Sequence, residues 1–143
     1  MVAMPAESET NDSEGHLPDD AVVVRGGTMR REDMIASARK YAARTGGVYG
    51  LTVWSWPGLT PGEIALRVKE THSDGLNPVA HGQLRHSTAA KIREPGANRE
   101  SFQLVKTGAD GHYTLTFQAE PTVADWERLE GMFGPAEPNP ATG

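Results

Sequence analysis

The chain has 143 residues, a formal net charge of −5 and no cysteine. That length allows one domain with a real hydrophobic core. The missing cysteine excludes disulfide frameworks, thiolate zinc sites and cysteine nucleophiles, and no apolar run approaches the roughly 18 residues of a membrane span.

The charge is unevenly placed. Six of the nineteen acids (Glu7, Glu9, Asp12, Glu14, Asp19 and Asp20) lie in residues 1–20, which hold no Lys or Arg, so the rest of the chain sets thirteen acids against fourteen Lys and Arg. A duplex-DNA binder needs a clear basic excess, which this near-neutral body lacks; a small phosphate-bearing ligand is compatible with it. Residues 1–18 hold few large apolar groups and are expected to be a disordered acidic tail. No signal-peptide apolar region stands near the N-terminus, so a soluble cytoplasmic protein without a membrane partner is expected. Residues 19–133 read as a single α+β domain, and 134–143, rich in Pro and Gly, as a flexible tail.

The elements follow in order. Ala21-Val22-Val23-Val24 is a β-branched run typical of a strand covered on both faces. After Gly26-Gly27 a helix is expected from about Met29 to Arg44, capped by Thr28, with Glu32 and Asp33 in its first turns and Gly46-Gly47 ending it. Its apolar stripe is Met34, Ile35, Ala38, Tyr41 and Ala42. Val48 to Trp56 alternates as a second strand, with Trp54 and Trp56 on one face as core. Leu59-Thr60-Pro61-Gly62-Glu63-Ile64 carries a capping box (Thr60 with Glu63), Pro at the first helical position, and a Leu59–Ile64 staple, for a helix to about Thr71.

Residues 73–83 read as irregular. Ser87 is the expected cap of a short helix over 88–93, stopped by Pro95-Gly96. Phe102–Thr107 and His112–Gln118 form a hairpin, with Tyr113, Leu115 and Phe117 inward. Thr122 opens a last helix with Asp125 in capping-box position and Val123, Trp126, Leu129 and Phe133 inward. The predicted fold class is α+β, a small mixed β-sheet with helices packed on it, in the order β-α-β-α-α-β-β-α. The first two strands, joined through a helix, are expected to form a right-handed parallel crossover.

Two features could carry chemistry. The first is a repeated His-x-Thr, His86-Ser87-Thr88 and His112-Tyr113-Thr114, with Arg85 before the first copy. Two imidazoles on one phosphate could serve as base and acid without a metal. Arg85, Thr88 and Thr114 would hold its oxygens. The second is Val24-Arg25-Gly26-Gly27-Thr28, where a glycine turn before a helix could aim backbone N–H groups at an anion and Arg25 could clamp it. The histidines at 72, 81 and 86, with Asp74, fit no metal-ligand spacing, so neither metal nor cofactor is expected.

The paired His-x-Thr copies resemble the motifs of the two-histidine phosphoesterases, which implies catalytic roles for His86 and His112. The match covers six residues, and no duplication like that of the family's two lobes is visible. Arg25, Ser87-Thr88 and Gln118-Ala119-Glu120, in that order, resemble the three motifs of ADP-ribosyltransferases. That likeness implies dinucleotide-holding roles for Arg25 and Ser87 and a ribose-supporting role for Glu120, although the family's Ser-Thr lies on a strand and Ser87-Thr88 here reads as a helix entry. The chain is also similar to small actinobacterial proteins with a Val-Val-Arg-Gly-Gly start, a likeness that gives no residue a role.

Two functional classes are therefore expected. One is a small interaction protein, such as a member of a toxin–antitoxin-like pair, with a protein partner and an anion- or phosphate-binding site. The other is a metal-independent enzyme acting on phosphoesters, nucleotides or RNA through His86 and His112.

Overall fold

The computed structural model describes residues 17–27, 29–71, 82–94, 101–108 and 111–140. Within them the elements are β1 (Val22–Gly26), α1 (Arg31–Thr45), β2 (Gly50–Trp54), α2 (Pro61–Thr71), β3 (Gln83–Thr88), α3 (Ala89–Ile92), β4 (Phe102–Lys106), β5 (His112–Phe117), α4 (Val123–Met132) and β6 (Glu137–Pro138). The acidic tail over 1–16, the Thr28 cap, the segment 72–81 with His72, Asp74 and His81, and Pro95-Gly96 lie outside the described residues.

The fold is α+β. Six strands form one sheet in the order β4-β5-β2-β1-β3-β6, and every pairing is antiparallel. The expected parallel crossover is thereby corrected. β2 pairs antiparallel with β1, so it starts beside the end where β1 stops, and the helical connection leaves and re-enters at the same end of the sheet. A crossover would have had to carry the chain back along the strand first.

The strand at β3 is a second difference. Gln83-Leu84-Arg85-His86-Ser87-Thr88 holds one large apolar residue among polar ones, a weak local strand signal. Its conformation comes from pairing with β1 from Val22↔Thr88 to Gly26↔Leu84. Ser87 is therefore a strand residue, and the short helix α3 takes Thr88 as its cap, whose side chain accepts from the Lys91 amide. Thr88 thus serves local structure.

Two cores lie on opposite faces, following strand alternation. The larger joins Val23, Leu51, Val53, Leu104, Tyr113, Leu115 and Phe117 to Met34 and Ala38 of α1, Ile92 of α3, and Trp126, Leu129 and Met132 of α4. The smaller joins Val24, Trp54 and Leu84 to Ile64, Ala65 and Val68 of α2. Each fully buried Leu or Ile contributes about 2 kcal/mol by leaving water, so these faces fix which side each strand residue takes.

The two capping boxes form as expected. Thr60 and Glu63 exchange backbone bonds at 2.9 and 3.2 Å, and Thr122 and Asp125 do the same. Gly46 ends α1 in the left-handed conformation, at φ 79°, as a residue without Cβ can at no cost. The start of α1 falls later than the sequence suggested, with Arg30 at the cap position and no side-chain cap bond. Val123 is exposed rather than inward, at 63%.

Residues 134–140, expected to be a mobile tail, run along β3. The Gly134 amide donates to the His86 carbonyl at 2.8 Å and the Asn139 amide to Gly82 at 3.1 Å, while Glu137 and Pro138 pair with Leu84 and Gln83. Among the described residues no helix is long and apolar enough to cross a membrane.

Candidate functional site

The two histidines of the repeated motif share a sheet face but do not meet. Cross-strand registers His86↔Val24, Val24↔Trp54 and Trp54↔His112 place them in one row. Residues directly paired across strands share a face, so both imidazoles leave the sheet on the α2 side. They stand three strands apart, about 14 Å between Cα atoms at about 4.8 Å per strand. Each ring also has its own polar partner. His86 Nε2 lies 2.9 Å from Glu137 of β6, and His112 Nδ1 lies 2.9 Å from the Thr107 hydroxyl with its ring edge-on to Trp54. The shared hollow expected for His86 and His112 is thus not formed, because the apolar Val24 and Trp54 fill the row between them.

Arg85 is engaged elsewhere. It points to the opposite face and donates to the backbone carbonyls of Gly134 at 2.6 Å, Phe133 at 2.8 Å and Glu130 at 2.9 Å. Two of them, those of Glu130 and Phe133, belong to the end of α4, where carbonyls lack intrahelical partners, and a guanidinium fork suits several at once. Ser87 is buried, and among the described residues its hydroxyl has no hydrogen-bond partner. Thr114 is fully buried and bonded to the Thr107 hydroxyl at 2.7 Å. Neither faces an opening with the histidines.

The glycine turn does not present its amides to an anion. Gly26 pairs with Leu84, and the Gly27 amide donates to the Gln83 carbonyl at 2.7 Å. Glu120 is exposed after β5 and lines a small hollow of about 70 Å³ with Tyr49, Pro121 and Trp126; that hollow does not include Arg25 or Ser87. The Arg25–Ser87–Glu120 arrangement implied by the ADP-ribosyltransferase likeness is not assembled.

Arg25 itself stands in a cavity of about 510 Å³, lined by Arg25, Ser37, Lys40, Tyr41, Ala43, Arg44, Gly50 and Thr52. The fold creates it by parting two strands. β1 and β2 share a single register pair, Val24↔Trp54, and toward Gly26 and Gly50 the ladder is not continued. The Arg25 guanidinium reaches into this gap and donates to the Thr52 carbonyl at 2.8 Å. Ser37, Lys40, Tyr41 and Arg44 supply the opposite wall, since spacings of three and four residues put them on one side of α1.

The electrostatics are one-sided. Three cations line the cavity and no carboxylate does. Among the described residues none of Arg25, Lys40 and Arg44 has a carboxylate at ion-pair distance. Burial lowers Arg25 from its ordinary value, and the field of Asp33 works in the other direction. Asp33 is itself held by Arg30 at 3.5 Å. A part-buried guanidinium bonded to one neutral carbonyl is an under-compensated charge, and an arriving anion would complete it. Arg44 also lies over the Tyr41 ring at 5.6 Å. A cation in the last turn of a helix often serves the helix dipole alone. That explains Arg44 but neither Lys40 nor Arg25.

Sequence reasoning found Arg25 but missed Ser37, Lys40 and Arg44. The available signal was their i, i+3, i+7 spacing beside the apolar stripe of α1. Among the described residues no group of three His, Asp or Glu side chains could hold a metal. No protein family, curated protein or solved structure matches the chain.

Proposed function

We propose that this protein binds a small anion, with the cleft between α1 and the parted strands β1 and β2 as its site. One observation carries the reading: the cavity is lined by three cationic side chains without an ion-pair partner among the described residues, one of them the part-buried Arg25. The size fits a small molecule, since ligand cavities commonly run from about 300 to about 1,000 Å³. In this reading Arg25 is the inner clamp, Lys40 and Arg44 attract and hold the ligand at the rim, and Ser37 and Tyr41 offer hydroxyls. The chain then acts as a receptor or carrier, or as one partner of an interaction that the ligand regulates.

The experiment is a titration of the full chain with inorganic phosphate and with sulfate, followed by amide chemical shifts. The expected result is saturable shifts at residues 37–44 and 50–52, weakened by added salt and lost in Arg25→Met. Shifts that do not saturate, or that persist unchanged in Arg25→Met, would overturn the assignment.

A further inference from the structure

Resting on that anion-binding reading, we infer that the ligand is a phosphomonoester of a small organic molecule, with its phosphate between Arg25 and the rim cations and its body against Tyr41 and Ala43.

The first support is charge number and placement. Arg25 enters from β1, whereas Lys40 and Arg44 enter from α1, one turn apart. Cations on two walls suit an anion that offers acceptors in several directions. A carboxylate presents two oxygens in one plane and a single charge. A phosphomonoester presents three terminal oxygens and close to two charges above its second pKa of about 6. With three cations and no lining carboxylate, a dianion leaves less uncompensated charge than a monoanion.

The second support is the remaining wall. Tyr41, Ala43, Gly50 and Thr52 line the same cavity. Bare phosphate would leave this wall in water, while an organic body would cover it. The volume of about 510 Å³ accommodates such a body. The near-neutral charge of the chain beyond residue 20 gives no broad basic surface for a long nucleic acid to follow, which favours a small ligand.

The test is calorimetric titration of the full chain at low ionic strength and about pH 8, where the ester is a dianion. The probes are phenyl phosphate, glycerol phosphate, adenosine monophosphate, inorganic phosphate and benzoate. At least one of the three esters is expected to bind about tenfold or more tighter than both inorganic phosphate and benzoate. Its affinity should fall as pH drops below about 6, where the ester loses its second charge, while benzoate binding stays level. Lys40→Gln and Arg44→Gln, at exposed positions that leave folding intact, should each weaken ester binding by about two- to fivefold. If benzoate or inorganic phosphate binds as tightly as every ester, the phosphomonoester assignment is wrong and the anion site stands. If none of the five probes binds, both readings fall together.

Discussion

The Arg25 guanidinium spans the gap between β1 and β2 and donates to the Thr52 carbonyl at 2.8 Å, at the point where the two strands cease to pair. A charge in this position is costly to fold around. Replacing it with an apolar side chain of similar length removes that cost. Arg25→Met is therefore expected to leave the denaturation midpoint unchanged or raised while anion affinity drops about tenfold or more, the loss of a hydrogen bond to a charged group. A large loss of stability in this variant would mean that Arg25 is a structural pin rather than a binding group.

Arg85 should behave in the opposite way. Its three bonds to Glu130, Phe133 and Gly134 close the end of α4 against β3. Arg85→Met is expected to cost about 2 kcal/mol or more in urea denaturation, with anion affinity retained. Arg85→Lys should recover only part of this, since an ammonium cannot reproduce the planar fork. Equal stability of wild type and Arg85→Met would show that the α4 carbonyls are satisfied by water.

Ser87 buries a hydroxyl that has no partner among the described residues. Ser87→Ala removes a desolvated polar group at the cost of almost no volume, so stability should stay level or rise by up to about 1 kcal/mol. Affinity for inorganic phosphate should not change. A loss of affinity would return Ser87 to the binding role that the ADP-ribosyltransferase likeness implied.

Arg31 of α1 holds both carboxylate oxygens of Glu130 of α4, at 2.8 and 2.9 Å. The Arg31 hydrogen bond lowers the Glu130 carboxyl below its ordinary value of 4.5. A depressed folded-state value means that the pair stabilises the fold above that ordinary value, and that this stability is lost as pH falls through the folded value. Thermal unfolding should therefore show a fall in midpoint below about pH 4.5 that is shallower in Glu130→Gln. Identical acid slopes would remove Glu130 from the explanation.

At Gly111 two constraints coincide. Its φ is +83°, and a Cβ there would sit 2.2 Å from the Trp56 ring. Gly111→Ala combines left-handed backbone strain with an overpacked aromatic contact, for a cost of about 2 kcal/mol or more. Denaturation followed by Trp fluorescence measures it. A neutral result would mean that Trp56 swings away freely.

Local chemistry was legible in the chain, and pairing was not. The boxes at Thr60–Glu63 and Thr122–Asp125 and the stop at Gly46 formed as expected because each depends on residues within a few positions. The inward set Tyr113, Leu115 and Phe117 followed from alternation alone. By contrast, Leu84 and Ser87 lie in a strand only because β1 offers a free edge, and β1 is antiparallel to β2 because α1 returns the chain to the end it left.

The site divides in the same way. Composition and spacing singled out Arg25, and they singled out His86 and His112 equally well. Which of these reaches a cavity depends on how strands align across the sheet: Val24 and Trp54 separate the two imidazoles, and a ladder that stops after one register pair opens the space beneath Arg25. Side-chain type is written in the chain, but convergence is set by contacts between residues far apart in it, whose energies arise only once the sheet and α1 are packed together.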